Sequence, residues 1–173
     1  MNKEMVNIAG MMAVAARTAP KAKGDDFIEI RVISGNDIKT LADDMVNYGA
    51  QSGRPNFDRD GENVRLSSAV LLLSLNNSIY LGLNCGACGY ETCAEMESNL
   101  IEGPEFKGPI CSWRMVDLGI ALGSAAKTAS ILNADNRIMY RIGVSALRLE
   151  LIKGEVAIGI PISATGKSIY FDR

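Results

Sequence analysis

Histidine is missing from this chain of 173 residues. Its absence removes the commonest acid–base side chain at neutral pH and the commonest nitrogen ligand for metals. Any metal held here is held by thiolates, carboxylates or backbone groups. Surplus charge is also scarce: 18 Lys and Arg face 20 Asp and Glu, a formal net charge of −2. No broad positive field invites nucleic acid or an anionic membrane. No apolar run reaches the roughly 18 residues that a transmembrane helix needs. The stretch Met11-Met12-Ala13-Val14-Ala15-Ala16 ends like a leader cleavage region, but Glu4 and Asn7 interrupt the apolar run that a leader requires. A cytoplasmic protein is therefore expected. Cysteine is rare, and its placement is informative: there are four, and all fall between positions 85 and 111. Secreted chains spread their cysteines to staple distant segments, whereas local clustering in a cytosolic chain points to metal.

The remaining composition, 47% hydrophobic and 22% charged, is that of a globular chain long enough for one well-buried core. Residues 3–18 carry Met5, Ile8, Met12 and Ala15 at helical spacing, and Pro20 stops that helix. Residues 27–33 alternate as a strand, with Ile28, Ile30 and Val32 on one face and Glu29 and Arg31 on the other. Asn36 or Asp37 can cap a second helix, whose stripe is Ile38, Leu41, Met45 and Tyr48. Residues 49–63 are polar and turn-prone, with Gly53, Pro55 and Gly61, and read as a surface loop. The continuous apolar run from Ala69 to Leu75 fits a strand covered on both faces. A long helix over 113–132, studded with Gly119, Gly123 and several alanines, is expected to be buried and closely approached. Asp135 would cap a further helix to Leu147, and 156–162 form a last buried strand. This order describes an α/β (α+β) sandwich with helices on both faces of a central sheet. We read one domain over 1–173, with 82–112 as an insertion.

That insertion carries Cys85-Gly86-Ala87-Cys88-Gly89-Tyr90-Glu91-Thr92-Cys93, with Cys111 after a longer gap. Three closely spaced thiolates can wrap one face of a compact inorganic core, and a distant fourth closes it. Gly86 and Gly89 let the loop fold tightly and aim N–H groups at sulfur. A helix starting near Thr92 would place its positive end beside the thiolates. Three rivals stand against a [4Fe–4S] cluster. Structural zinc accepts four thiolates but usually as two close pairs, and one pair is present here. A plant-type two-iron ferredoxin reverses the order of the short gaps. A redox-active Cys-x-x-Cys leaves Cys93 and Cys111 without a role.

From Asn84 to Cys111 the segment resembles the small four-iron domain of corrinoid iron–sulfur proteins and electron-transport complex subunits. All four cysteines match that Cys-Gly-x-Cys-Gly-x3-Cys pattern, although the proline near the last one, Pro109, stands two residues before it. Over nearly its full length the chain resembles a family of ferredoxin-domain-containing proteins, through residues 13–24, 117–124 and 159–167. Residues 16–24 with the following strand, 117–132 and 157–161 are similar to the alanine-rich helix, Ala-Pro-Ser-Ala loop, central helix and late strand of the nitroreductases. That resemblance implies a nitroreductase-like fold, a homodimer and FMN, with Arg17, Lys21, Lys23 and Lys167 near its phosphate. The terminal stretch 167–173 would join the site. Departures are Lys21 for the loop serine, Gly24 for an asparagine, and no Arg-Arg-Ser-x-Arg element before the first helix. The plainer reading of Arg17, Lys21 and Lys23 is a solvated helix end, where cations suit the dipole.

Gly166-Lys167-Ser168 is not a phosphate loop, because Pro161 occupies the position of its first glycine. Trp113 is expected to shield the cluster from water, and Tyr170 and Phe171 to make packing or dimer contacts. Asp43-Asp44 and Glu95–Glu97 read as solubilising, with no paired general acid and base. The expectation is an iron–sulfur redox protein that passes single electrons to a bound flavin, a partner protein or a small-molecule acceptor. If it is an enzyme, it is a flavin-dependent oxidoreductase. The competing class is a non-catalytic binding or sensing module stabilised by a cluster or zinc.

Overall fold

Apolar periodicity becomes structure along most of the chain, and the structure, a computed structural model, describes residues 1–171. Helix α1 (Asn2–Thr18) buries Met5, Ala9, Met12 and Ala16, a stripe at spacings of three and four. A single 3-10 turn, Ala22–Gly24, leads into β1 (Ile28–Ser34). Helix α2 (Asn36–Ser52) buries Ile38, Leu41, Ala42 and Met45. Its N-cap is Gly35, at φ 61°, with no side-chain cap, so neither Asn36 nor Asp37 plays the capping role expected of it.

The expected loop over 49–63 is corrected by the structure. α2 continues to Ser52, and a second helix, α3 (Phe57–Arg65), follows after a short turn. Its composition reads as loop because only one narrow face is covered. Phe57, Asp60, Gly61 and Val64 point inward, and the rest is charged apart from polar Asn63. Asp58 and Asp60 in the first turn favour the helix electrostatically. Gly61 is there for space: a Cβ would lie 2.9 Å from Val46 and 3.1 Å from the Ala42 carbonyl oxygen on α2. Buried Asp60 accepts from Arg59 at 2.8 Å and from Arg141 at 2.9 Å, so its charge is paired on both oxygens.

Strand β2 (Ala69–Leu75) is buried throughout, as its apolar run requires. It lies between β1 and β6 (Val156–Ser163), antiparallel to both, with Ile28 opposite Leu75 and Gly159 opposite Leu72. The short β5 (Asp135–Asn136) completes the order β1-β2-β6-β5. Asp135 thus begins a strand and caps nothing. Side chains alternate across the sheet with period two. Leu71, Leu73 and Leu75 join α1 and the long helix α5 (Ser112–Ile131) in one core. Val70 and Leu72 face the other way, toward α2, α3 and α6 (Tyr140–Arg148). Each such leucine contributes about 1.5–3 kcal/mol by leaving water. α6 lies almost on the backbone of β6, and a Cβ on Gly143 would stand 1.7 Å from the Ala157 carbonyl oxygen. Tyr170 closes this second core and shares a hydrogen bond of 2.8 Å with Ser67. Burial pushes its phenol up to about 12. Phe171 lies against Arg137, whereas Asp172 and Arg173, part of the terminal stretch expected to join the flavin site, lie outside the described residues.

α5, expected to be buried and closely approached, is so on one face only. Ala121, Ala125 and Ala129 face α1 and the sheet, but Gly119 and Gly123 face outward into open space. Among the described residues, no helix is long and apolar enough to cross a membrane. Between β2 and α5 the chain leaves the sheet and makes a short helix, α4 (Cys93–Ser98), then a two-stranded hairpin of β3 (Ile101–Glu102) and β4 (Lys107–Gly108). The hairpin is anchored by the Lys107 N–H donating to the Glu155 carbonyl and by Phe106, which packs against both cores. Glu105 adds an ion pair to Arg54 at 3.1 Å.

Candidate metal centre

Three local devices place the four cysteines. Cys85 and Cys88 lie on an exposed turn, with Gly86 at φ 73° and Gly89 at φ 89°. An L side chain at either position would be strained, so glycine suits both. The Gly89 N–H donates to the Gly86 carbonyl and closes the turn. Cys93 is the first residue of α4, where Thr92 caps the helix by accepting from the Glu95 N–H. The Cys93 N–H is itself held by the Asn84 side-chain oxygen at 2.9 Å. Cys111 is the N-cap of α5, at the positive end of a helix of 20 residues. Cys93 and Cys111 are buried, Cys88 is half-buried, Cys85 is exposed, and all four are free thiols.

The four line one cavity, together with Asn84, Tyr90, Met96 and Trp113. Beneath it Leu81, Met96 and Cys111 form a small apolar core of their own, flanked by Ala22 and Tyr90. The enclosed space is about 10 Å3, the room of a single water. As folded here, among the described residues, no three metal-ligating side chains stand close enough to share one ion. The fit to an inorganic cluster therefore rests on the donor set. Every thiol of the chain converges on one cavity, and the turn bearing Cys85 and Cys88 has open space around both glycines.

The first turn of α5 ties this cavity together. Ser112 donates to the Ala87 carbonyl at 2.9 Å, clipping the helix to the turn between Cys85 and Cys88. The Ala87 backbone N–H and, after it, the Trp113 indole hold the Cys85 thiol below its ordinary range. Trp113 is 44% exposed, so its contribution here is a donated hydrogen bond; as a shield against water it is incomplete. Arg114 and Asp117, which sequence reasoning passed over, are both buried within the next turn. Their signal was present in retrospect: a charged pair three residues apart on an otherwise apolar helix face.

The cations suggested for a flavin phosphate are placed differently. Arg17 donates to Asp26 at 2.6 Å and to the Ile28 carbonyl. Lys21, with its side chain 5% exposed, caps the end of α1 through the Ala16 and Arg17 carbonyls and faces Asp26 at 3.4 Å. Lys23 donates to the Leu81 carbonyl at 2.7 Å, and the Ala22 N–H is taken by Asp117 at 2.8 Å. Lys167 is exposed on the terminal segment. The loop after α1 therefore spends its donors on the chain itself, and two of these bonds brace the segment that carries the cysteines.

Comparison with known proteins agrees with this anatomy. The family described as "Uncharacterized protein containing a ferredoxin domain" matches residues 107–173, and a family of Fe–S cluster segments matches 82–105. A protein of Archaeoglobus fulgidus, described as uncharacterized, is 48% identical over 171 residues, which is 98% of this chain and 92% of its own length. Among solved structures, the FMN-dependent nitroreductase NfnB from Mycobacterium smegmatis in complex with NADPH superposes with a TM-score of 0.59 at 12% identity. The match covers 92% of this chain and 78% of that one. An oxidoreductase containing FMN gives 0.57 at 14% identity, over 93% of this chain and 67% of that one. NfrA2 of B. megaterium gives 0.55 at 11% identity, and there the chain spans 58% of the longer protein. At such identities the likeness is one of fold.

Proposed function

The chain belongs to the family of uncharacterized proteins containing a ferredoxin domain, and from that premise we propose that it passes single electrons through a [4Fe–4S] cluster. It is an iron–sulfur protein with a nitroreductase-like fold. The observation that carries the finer reading is that Cys85, Cys88, Cys93 and Cys111, the whole thiol complement of the chain, line one cavity. When bound, such a cluster supplies one-electron chemistry at a potential set by its charge, hydrogen bonds and exposure. The protein's part is to hold and tune. Cys93 and Cys111 are fixed by helix starts, whereas Cys85 and Cys88 sit on the adaptable turn. The N–H donors of Ala87 and Trp113 favour the thiolate form of Cys85. Cys85 and Trp113 reach the surface, which supports electron exchange on that side with a redox partner protein or a small acceptor. The local clustering of all four cysteines is the pattern of a metal-binding intracellular chain and supports a cytoplasmic location.

Anaerobic reductive titration tests the reading. Each loaded chain is expected to take up about one electron, with bleaching of a broad visible absorption and a paramagnetic signal in the reduced form. A colourless, zinc-loaded chain that takes up no electron overturns it and marks a structural binding or sensing module.

A second reading adds FMN beside the centre, favoured by the fold shared with FMN-dependent nitroreductases. Arg17, Lys21, Lys23 and Lys167 are its candidate phosphate ligands, but the first three must leave internal partners before they can serve. We expect micromolar rather than nanomolar affinity, a difference of about 4 kcal/mol. Titrating FMN into wild type and a Lys21→Ala, Lys167→Ala double variant reads this out. Quenching weakened in the variant supports the site, and no quenching in wild type leaves a cluster-only protein.

The same fold likeness, with apolar side chains left exposed on both α1 and α5, supports a homodimer. Met11 and Val14 on α1 and Val116 and Ile120 on α5 are all exposed. Gly119 and Gly123 beside them leave room for close approach.

A further inference from the structure

One buried charge has so far no role. Arg114 is 1% exposed, lies on the first turn of α5, and its N–H donates to the carbonyl of Cys111. Burying a guanidinium costs several kcal/mol after relaxation unless its donors are met. Here they are met by widely separated stretches of chain. Nε donates to the Ile79 carbonyl at 2.8 Å, Nη1 to the Ala22 carbonyl at 3.1 Å and to Asp117 at 3.2 Å, and Nη2 to Asp25 at 3.1 Å. Its flat face lies over the Phe27 ring at 4.6 Å. The second oxygen of Asp117 takes the Ala22 N–H, so the pair holds that residue at both its N–H and, through Arg114, its C=O.

These acceptors have a common geometry. Ile79 lies where the chain has just left β2 toward Cys85, and Cys111 lies where the chain enters α5. Arg114 therefore joins the entry and the exit of the cysteine-bearing segment, and braces both against the turn after α1. Lys23, donating to Leu81, makes a second tie across the same gap. A plain core ion pair would need only Asp117. The fork geometry that satisfies three further acceptors is a property of arginine, which lysine does not share.

We propose that Arg114 is the positioning residue of the thiol centre: it fixes the start of α5 so that Cys111 is presented to the other three cysteines, and its guanidinium offsets the carboxylates of Asp25 and Asp117 behind an anionic site. The proposal rests on the four-cysteine reading, and its test separates the two. In the metal-free full-length chain, site-resolved alkylation by iodoacetamide compares wild type with Arg114→Lys and Arg114→Gln. Cys111 is expected to react about tenfold faster in both variants as local opening becomes easier. Cys93, held by Asn84, should keep its wild-type rate. In loaded protein, Arg114→Gln should lower the potential, cutting the reduced-to-oxidised ratio at a fixed poise about tenfold, while Arg114→Lys, which keeps the charge, stays near wild type.

An unchanged Cys111 rate in both variants overturns the positioning role, and Cys93 and Cys111 accelerating together overturns it as general loosening. Equal potentials in all three proteins overturn the charge. Should Arg114→Gln fail to accumulate, Asp117→Asn, which keeps the side-chain shape, reads the same alkylation arm. A wild type that takes up no iron removes the cluster reading, while the alkylation result still decides the clamp.

Discussion

Replacing Cys111 by serine is expected to empty the centre, with iron and acid-labile sulfide falling from about four each per chain to near zero. The chain has no spare soft ligand. It holds four cysteines and no histidine, so no other thiolate or imidazole can step into the vacant position, and the Met96 thioether beside it carries no charge to replace the thiolate. Cys111 is also buried at the N-cap of α5, where the helix fixes its position and a solvent ligand has little access. The same complete loss is expected for Cys93→Ser, because that residue is buried and held through Asn84. Cys85→Ser should be milder, retaining part of the iron in a more oxygen-labile form, because Cys85 lies on the exposed turn where water can serve as ligand. Iron and sulfide analysis of anaerobically purified variants checks the series. Full iron retention in Cys111→Ser would exclude Cys111 as the fourth ligand, and equal loss in all variants would remove the distinction between fixed and adaptable ligands.

Sedimentation equilibrium at micromolar concentration is expected to give a species of twice the 18.6 kDa chain mass. Met11 and Val14 on α1 and Val116 and Ile120 on α5 are exposed apolar side chains on two helices that pack together, and such exposure costs solubility unless a partner covers it. Ile120 lies one turn from Val116 and between Gly119 and Gly123, where a neighbouring helix can come closest. Ile120→Glu would bury an unpaired carboxylate at that point, and we expect dimer affinity to fall about 30-fold or more, the scale of a central interface residue. Its iron content should match wild type, because Ile120 lines neither the cysteine cavity nor the small apolar core beneath it. A wild-type chain that sediments at 18.6 kDa alone would remove the homodimer.

How much of this could be read beforehand depends on how local the cause was. The cysteine spacing put all four thiols in one short segment, and the structure places them around one cavity. The apolar run at β2 and the stripe of α1 declared a central strand and an amphipathic helix because burial there follows the period of the element itself. α3 escaped notice because its buried face is narrow and its glycine, costly in a helix, answers to the packing of α2. Asp135 read as a cap because Asp135 and Asn136 are polar in sequence; only pairing with β6 makes them a strand. The basic loop after α1 suggested an anion site because sequence displays donors and hides acceptors. Asp117, the Leu81 carbonyl and Asp26 take those donors, and the first two are distant in the chain.

By itself the sequence determined the element types along most of the chain and the identity of the four thiol donors. Both follow from local spacing, which a chain carries whatever its path through space. Tertiary structure alone decided which face of α5 is open, that Gly143 must be glycine beneath β6, and that Arg114 braces both ends of the cysteine segment. Those properties belong to contacts between residues far apart in sequence, and a buried charge becomes interpretable only when its acceptors, Ile79, Ala22 and Asp25 among them, have been brought within reach.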